Sequence, residues 1–157
     1  MGTTLRTTVL ALATSVALTL GAGVGAATAA DPMKLSHRTA AARLTEDGIG
    51  IRSSGNCSNR NVSTCTSLEQ IRRPTIEGVR TLKRASRCSI TVTGGTERGH
   101  ASGTYSHWNG YKVDLALNSC LTTYIKKNFR YIGGSKWKSA SGNIYYLERD
   151  HWDVTYF

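Results

Sequence analysis

Acidic side chains are scarce in this chain: ten Asp and Glu stand against twenty Lys and Arg, a formal net charge of +10 at pH 7. Such an excess attracts polyanions, whether nucleic acid, anionic lipid or anionic cell-wall polymer, unless it serves solubility alone. No nucleic-acid motif accompanies it, and the basic residues are scattered, which argues against a nuclease or nucleic-acid binder. Paired C-x-x-C spacings are missing, so cysteine-held zinc is not expected. Beyond the first thirty residues no apolar run approaches membrane length, which excludes a helical membrane span. No internal repeat is visible, and low complexity is confined to the leader.

What is present begins with Arg6, an uncharged apolar run from Val9 to Leu20, and small residues ending Ala27-Thr28-Ala29-Ala30. Those are the three parts of a secretory signal peptide over residues 1–30, cleaved after Ala29 or Ala30. The protein is therefore expected outside the cell, as a monomer. Removing the leader takes only Arg6 from the charged residues and leaves a net charge of about +9. A lead-in segment over 31–50 and a single domain over 51–157 follow, about the size that supports one core.

Four cysteines, Cys57, Cys65, Cys88 and Cys120, lie in the exported part, and an even count there favours two disulfides. Three pairings are possible. Cys57 with Cys65 would close a short polar loop and Cys88 with Cys120 would tie two core segments, which is the favoured arrangement. Asn56 and Asn61 sit in N-x-[ST] sequons, relevant only where the host glycosylates.

A short helix is expected around Thr39 to Leu44 and a stapled polar loop from Ser53 to Ser67. Leu68, Ile71, Ile76, Val79 and Leu82 then predict a helix from Ser67 to about Ala85. Pro74 should break it, with Thr75 capping the second half. Cys88 to Thr93 alternates as a strand, and Gly94-Gly95 stops it. Lys112 to Leu117 alternates again, with Val113, Leu115 and Leu117 on one face and Asp114 and Ala116 on the other. Leu121 to Phe129 has helical spacing and should end at Gly133-Gly134. A hairpin over Lys136 to Phe157 turns at Ser141-Gly142-Asn143. Too few helices are available to cover both faces of a parallel sheet. The expected fold is α+β, a small, mainly antiparallel sheet with flanking helices and two disulfides.

His107 and Asp114, seven residues apart, together with Glu148 and His151, are the inventory of a catalytic zinc site: three ligands, one open position and a carboxylate base. Each pair alone arises easily by chance, and a loop histidine or a packed histidine beside Trp152 explains either one. Asp114 is different, because in a Val-x-Leu-x-Leu strand it risks burial and a buried carboxylate needs a cation or several donors. For Glu148 the plain alternative is a surface salt bridge with Arg149. Asp153 falls on the strand face of His151 and is expected to orient a ligand, with Asp150 on the other face. Tyr105, Trp108, Tyr111 and Trp152 surround the motif, either as a groove or as core.

Ser106-His107-x-x-Gly110-x-x-x-Asp114 followed by Glu148-x-x-His151 resembles the signature of the D-Ala-D-Ala metallopeptidase family of zinc carboxypeptidases, dipeptidases and endolysins. The resemblance covers the chain from about Ser67 to its end. It implies zinc held by His107, Asp114 and His151, Glu148 as the base, and a small α+β fold of the hedgehog and lysostaphin type. Two departures stand out: the serine is adjacent to the first histidine instead of two places before it, and Lys112 occupies a position usually held by a small residue. The family's upstream arginine has a displaced counterpart in Thr93-Gly94-Gly95-Thr96-Glu97-Arg98. Arg98 is thus a catalytic candidate for polarising the scissile carbonyl, with His100 as its substitute. The implied function is a secreted zinc peptidase that cuts peptidoglycan stem peptides and is drawn by its charge to an anionic wall. A metallopeptidase-like module that binds wall or protein without catalysis is the alternative, and a basic polyanion-binding protein a third.

Overall fold

The computed structural model describes residues 1–2 and 33–157, so the expected signal peptide lies outside the described residues. The chain divides into Met1–Ala30 and Asp31–Phe157, and the regular elements of the described residues belong to the second unit. Strand β1 (Lys34–Leu35) leads to helix α1 (His37–Glu46), whose N-terminus is capped by Ser36 accepting from the Thr39 amide. After β2 (Gly50–Ile51) comes the polar loop closed by the Cys57–Cys65 disulfide, then β3 (Ile71–Arg72) and α2 (Arg73–Ser86). Next are β4 (Thr91–Gly94), β5 (Lys112–Ala116) and α3 (Ser119–Asn128). The chain ends with β6 (Arg130–Gly133), β7 (Lys136–Lys138), β8 (Ile144–Leu147) and β9 (His151–Thr155). This is the α+β architecture expected, and the disulfides pair as favoured, Cys57–Cys65 and Cys88–Cys120.

Seven strands form one sheet in the order β2-β4-β5-β9-β8-β7-β6, with only β2 and β4 parallel, while β1 and β3 make a separate antiparallel pair. Register sorts the side chains. Val113 opposes Val154 and Leu115 opposes Trp152, all buried, so that face of the sheet meets the core. Helix α3 lies on that side, where its Thr122 hydroxyl receives the Trp152 indole N–H. Helix α2 also lies there, pressed so closely on Tyr156 that a Cβ at Gly78 would run into the ring. Because side chains alternate along a strand, Asp114, Ala116, His151 and Asp153 project from the opposite, open face.

Several expected boundaries shift. The helix expected from Ser67 begins only at Arg73, because Pro74 sits in its first turn, where a missing N–H costs nothing. Leu68 and Ile71 are still buried, but the backbone before the proline is taken by pairing with β1 and by Gln70 in a left-handed conformation. The strand expected from Cys88 starts at Thr91. Leu117, expected on the core face, lies past the end of β5 and is 40% exposed. Gly133 and Gly134 do not end α3. The helix stops at Asn128, and the glycines, both at positive φ, turn β6 into β7.

Candidate metal centre

The centre is built where β5 and β9 run side by side. Asp114 and Asp153 face each other across that pair, and Ala116 faces His151. Asp114 is 7% exposed. Its carboxylate reaches over β4 at Gly94, where any Cβ would collide with it, so only glycine leaves the space. The loop between β4 and β5 then folds back over the carboxylate. Thr96 anchors that loop by donating to the Ser67 and Glu69 carbonyls, and Gly110 closes it with φ +81° against the backbone of Gln70 to Arg72. Ser106 is structural, its hydroxyl accepting from the Asn109 amide.

Three imidazoles converge on Asp114, and each has its outer nitrogen fixed. His107 Nδ1 lies 2.7 Å from the Gly95 carbonyl, which can only accept, so Nδ1 carries the proton. His151 Nδ1 is held in the same way by Asp150 Oδ1 at 2.9 Å, and His100 Nε2 by Glu97 Oε1 at 3.0 Å. In their neutral forms the inner nitrogens present lone pairs, and these point at oxygens that are themselves acceptors. His107 Nε2 is 3.3 Å and His151 Nε2 3.4 Å from Asp114 Oδ1, while His100 Nδ1 is 3.8 Å from Asp114 Oδ2. Asp114 Oδ1 is buried without a hydrogen-bond partner among the described residues. Lone pairs facing a carboxylate repel unless a cation lies between them, which is the chemistry of a metal site.

Without a metal, a proton must do that work. Burial opposes charging His107, but the Asp114 and Asp153 carboxylates beside Nε2, which would accept from a protonated ring, overcome it and push its pKa up to about 9. His151 is raised for the same kind of reason: burial opposes it, and contact with Asp150 and the charges of Asp114 and Glu148 prevail. Glu97 shows the inverse. Burial would raise its pKa, yet His100 and the Ser67 and Gly95 amides hold it below the usual carboxylate range. A carboxylate so fixed dictates the orientation of His100.

His107, Asp114 and His151, singled out in the sequence, are thus gathered about Asp114 Oδ1, with Glu148 Oε2 3.4 Å from His151 Nε2. His100, His107 and Asp114 also offer one donor atom each within 4.8 Å of one another. Among the described residues only this second group brings all three donor atoms so close; in the first set the two imidazole nitrogens share Asp114 Oδ1. The His100 and His107 rings are stacked at 3.8 Å and 12°, so their in-plane lone pairs run side by side and do not meet at one point. His100 Nδ1 lies nearest Oδ2 of the same carboxylate, at 3.8 Å, beyond hydrogen-bond reach.

Of the two aspartates flanking His151, the one expected on the other face is the one that holds it. Asp150, the neighbour in sequence, orients His151. Asp153 is engaged elsewhere, by Lys112 Nζ at 2.8 Å and by His107 Nε2 at 3.5 Å. These contacts outweigh its burial and lower its pKa. Lys112, the unusual residue of the motif, therefore neutralises Asp153 and leaves Asp114 free. Arg98 is exposed, with its guanidinium 5.9 Å from the Trp108 ring and its amide on the Arg60 carbonyl. It shares with His100 and Trp108 a cavity of about 400 Å³ beside the centre. Of the aromatic residues around the motif, Trp152 is core, whereas Tyr105 and Trp108 are 51% and 41% exposed. Only the rarity of histidine in the chain hinted at the pairing of His100 with Glu97.

Compared with known proteins, the chain matches no family model, no curated protein and no solved structure. Among the described residues no helix is long and apolar enough to cross a membrane, and the two disulfides fit an extracellular protein.

Proposed function

We propose that the protein is a secreted zinc-dependent peptidase, similar to the D-Ala-D-Ala metallopeptidases, acting on peptidoglycan stem peptides. The observation that carries this reading is the set of inner imidazole lone pairs aimed at a buried Asp114 oxygen that has no other partner. His107, Asp114 and His151 would hold the ion, and the nitrogen–oxygen donor set suits zinc. Bound there, zinc would supply Lewis acidity toward the scissile carbonyl and acidify water.

The chain's own groups do the rest. Gly95 and Asp150 keep protons on the outer nitrogens of His107 and His151, which leaves the inner ones free to bind. Glu148 has a side chain 37% exposed beside His151, so it is open to solvent and placed to take a proton from water and return it to the leaving amine. Arg98, at the mouth of the neighbouring cavity, is available to a substrate carbonyl or carboxylate.

Metal analysis of the purified protein combined with incubation with muropeptides tests the reading. One zinc per chain and new amino termini are expected, and a protein that neither holds zinc nor cleaves overturns it. Glu148→Gln should keep the metal and lose turnover; a wild-type protein that binds wall material without cutting it would support the non-catalytic alternative.

A further inference from the structure

The open face of the sheet does not end at the metal centre. Register carries it outward: Asp153 opposes Tyr146 on β8, Tyr146 opposes Lys136 on β7, Lys138 opposes Ile144, and Arg130 on β6 opposes Lys138. Alternation places Tyr146, Lys136, Lys138 and Arg130 on the face that bears Asp114 and His151. The ammonium of Lys136 lies 5.0 Å from the Tyr146 ring, as neighbours on one face must. Both lysines and Arg130 are exposed, and the chain carries no acid between Asp114 and Glu148. The hairpin is tied to the centre as well, since the Ser135 carbonyl accepts from the Leu147 amide, one residue before Glu148.

We propose that this outer half of the open face docks the substrate, and that the substrate is an extended acidic peptide. The inference rests on the peptidase reading for the place of cleavage, but the docking itself does not need the metal. Four strand spacings separate β5 from β6, about 19 Å, which an extended peptide covers with about six residues. Carboxylates of the peptide meet Lys136, Lys138 and Arg130, the Tyr146 ring supports its backbone, and one end reaches His151 and Glu148. No acid on β6, β7 or β8 repels it.

Fluorescence anisotropy of a labelled oligo-L-glutamate about ten residues long, measured on EDTA-treated protein at low salt, tests the proposal. K136E/K138E should weaken binding at least about tenfold. The matched variant K126E/K127E makes the same charge change on α3, at the other side of the sheet, and should weaken it less than about twofold. K136Q/K138Q, a milder change at exposed positions, should fall between, with circular dichroism unchanged in all three. Equal loss in the two charge-reversal variants would mean undirected attraction and overturn the proposal. So would binding of inorganic polyphosphate in preference to oligo-glutamate, which would make the occupant a phosphate polymer. Docking that survives while muropeptides stay uncut would overturn the peptidase reading and leave the surface standing.

Discussion

The two halves of the open face treat charge in opposite ways. On β5 and β9 the acids are buried, so their energy is set by what lies within about 4 Å: Lys112 answers Asp153, whereas Asp114, crowded by histidines, needs a proton or a metal ion. On β6 to β8 the cations are exposed and unopposed, so water already satisfies them and they gain little until a ligand arrives. Burial converts a charge into a demand, whereas exposure leaves it an option. The inner half should therefore respond to mutation in stability, metal content and turnover, and the outer half in binding and salt dependence alone.

The sharpest way to break that contrast is Asp114→Ala. It should abolish metal retention and hydrolysis together, and remove the stabilisation expected of zinc in the wild type, about 2.7 kcal/mol at a hundredfold excess over Kd and read as a rise in Tm. A variant that still takes up zinc in a calorimeter would contradict the assignment. Glu148→Gln comes next, with kcat lower by about 10²- to 10⁴-fold at unchanged metal content, since only proton transfer is lost.

In metal-free protein the raised pKa of His107 predicts a definite sign. The folded value of about 9 exceeds the ordinary 6.5, so the stabilisation is complete below pH 6.5 and disappears as pH rises to 9. The loss is on the order of 3 kcal/mol and can be followed by Tm against pH. Zinc affinity should move the opposite way, increasing with pH as the competing proton leaves. Smaller still is the effect of Glu97→Gln, which removes the carboxylate that orients His100 beside Asp114 and should cost about 10- to 100-fold in zinc affinity. A cobalt-substituted protein should report this as a changed visible spectrum, which loosened packing alone would not produce.

Local patterns were legible wherever one element decides them. Alternation in Lys112 to Leu117 located β5, one residue too long, and set Asp114 apart from Val113 and Leu115, and the Ile76, Val79, Leu82 stripe located α2. Pro74 was readable as a helix signal yet ambiguous, because proline both ends a helix and begins one. Gly133 and Gly134 marked a turn, but whether the turn ends a helix or joins two strands depends on β8 being there to pair with β7. Asp150 was missed as the partner of His151 because strand alternation ignores the reach of an adjacent side chain, and Asp153 reaches Lys112 as well as the candidate ligand His107.

Composition and spacing by themselves determined the α+β class and the favoured pairing of the cysteines, and singled out His107, Asp114 and His151 as candidate ligands, since these depend on residue type and on periods of two and near four. The tertiary structure alone decided that His107 and His151 approach Asp114 at one oxygen while His100 lies nearer the other. It also decided that Lys112 serves Asp153, and that the hairpin cations share a face with the centre. Each of those facts is a distance between residues brought together by strand register, and register follows from packing of the whole sheet on its helices.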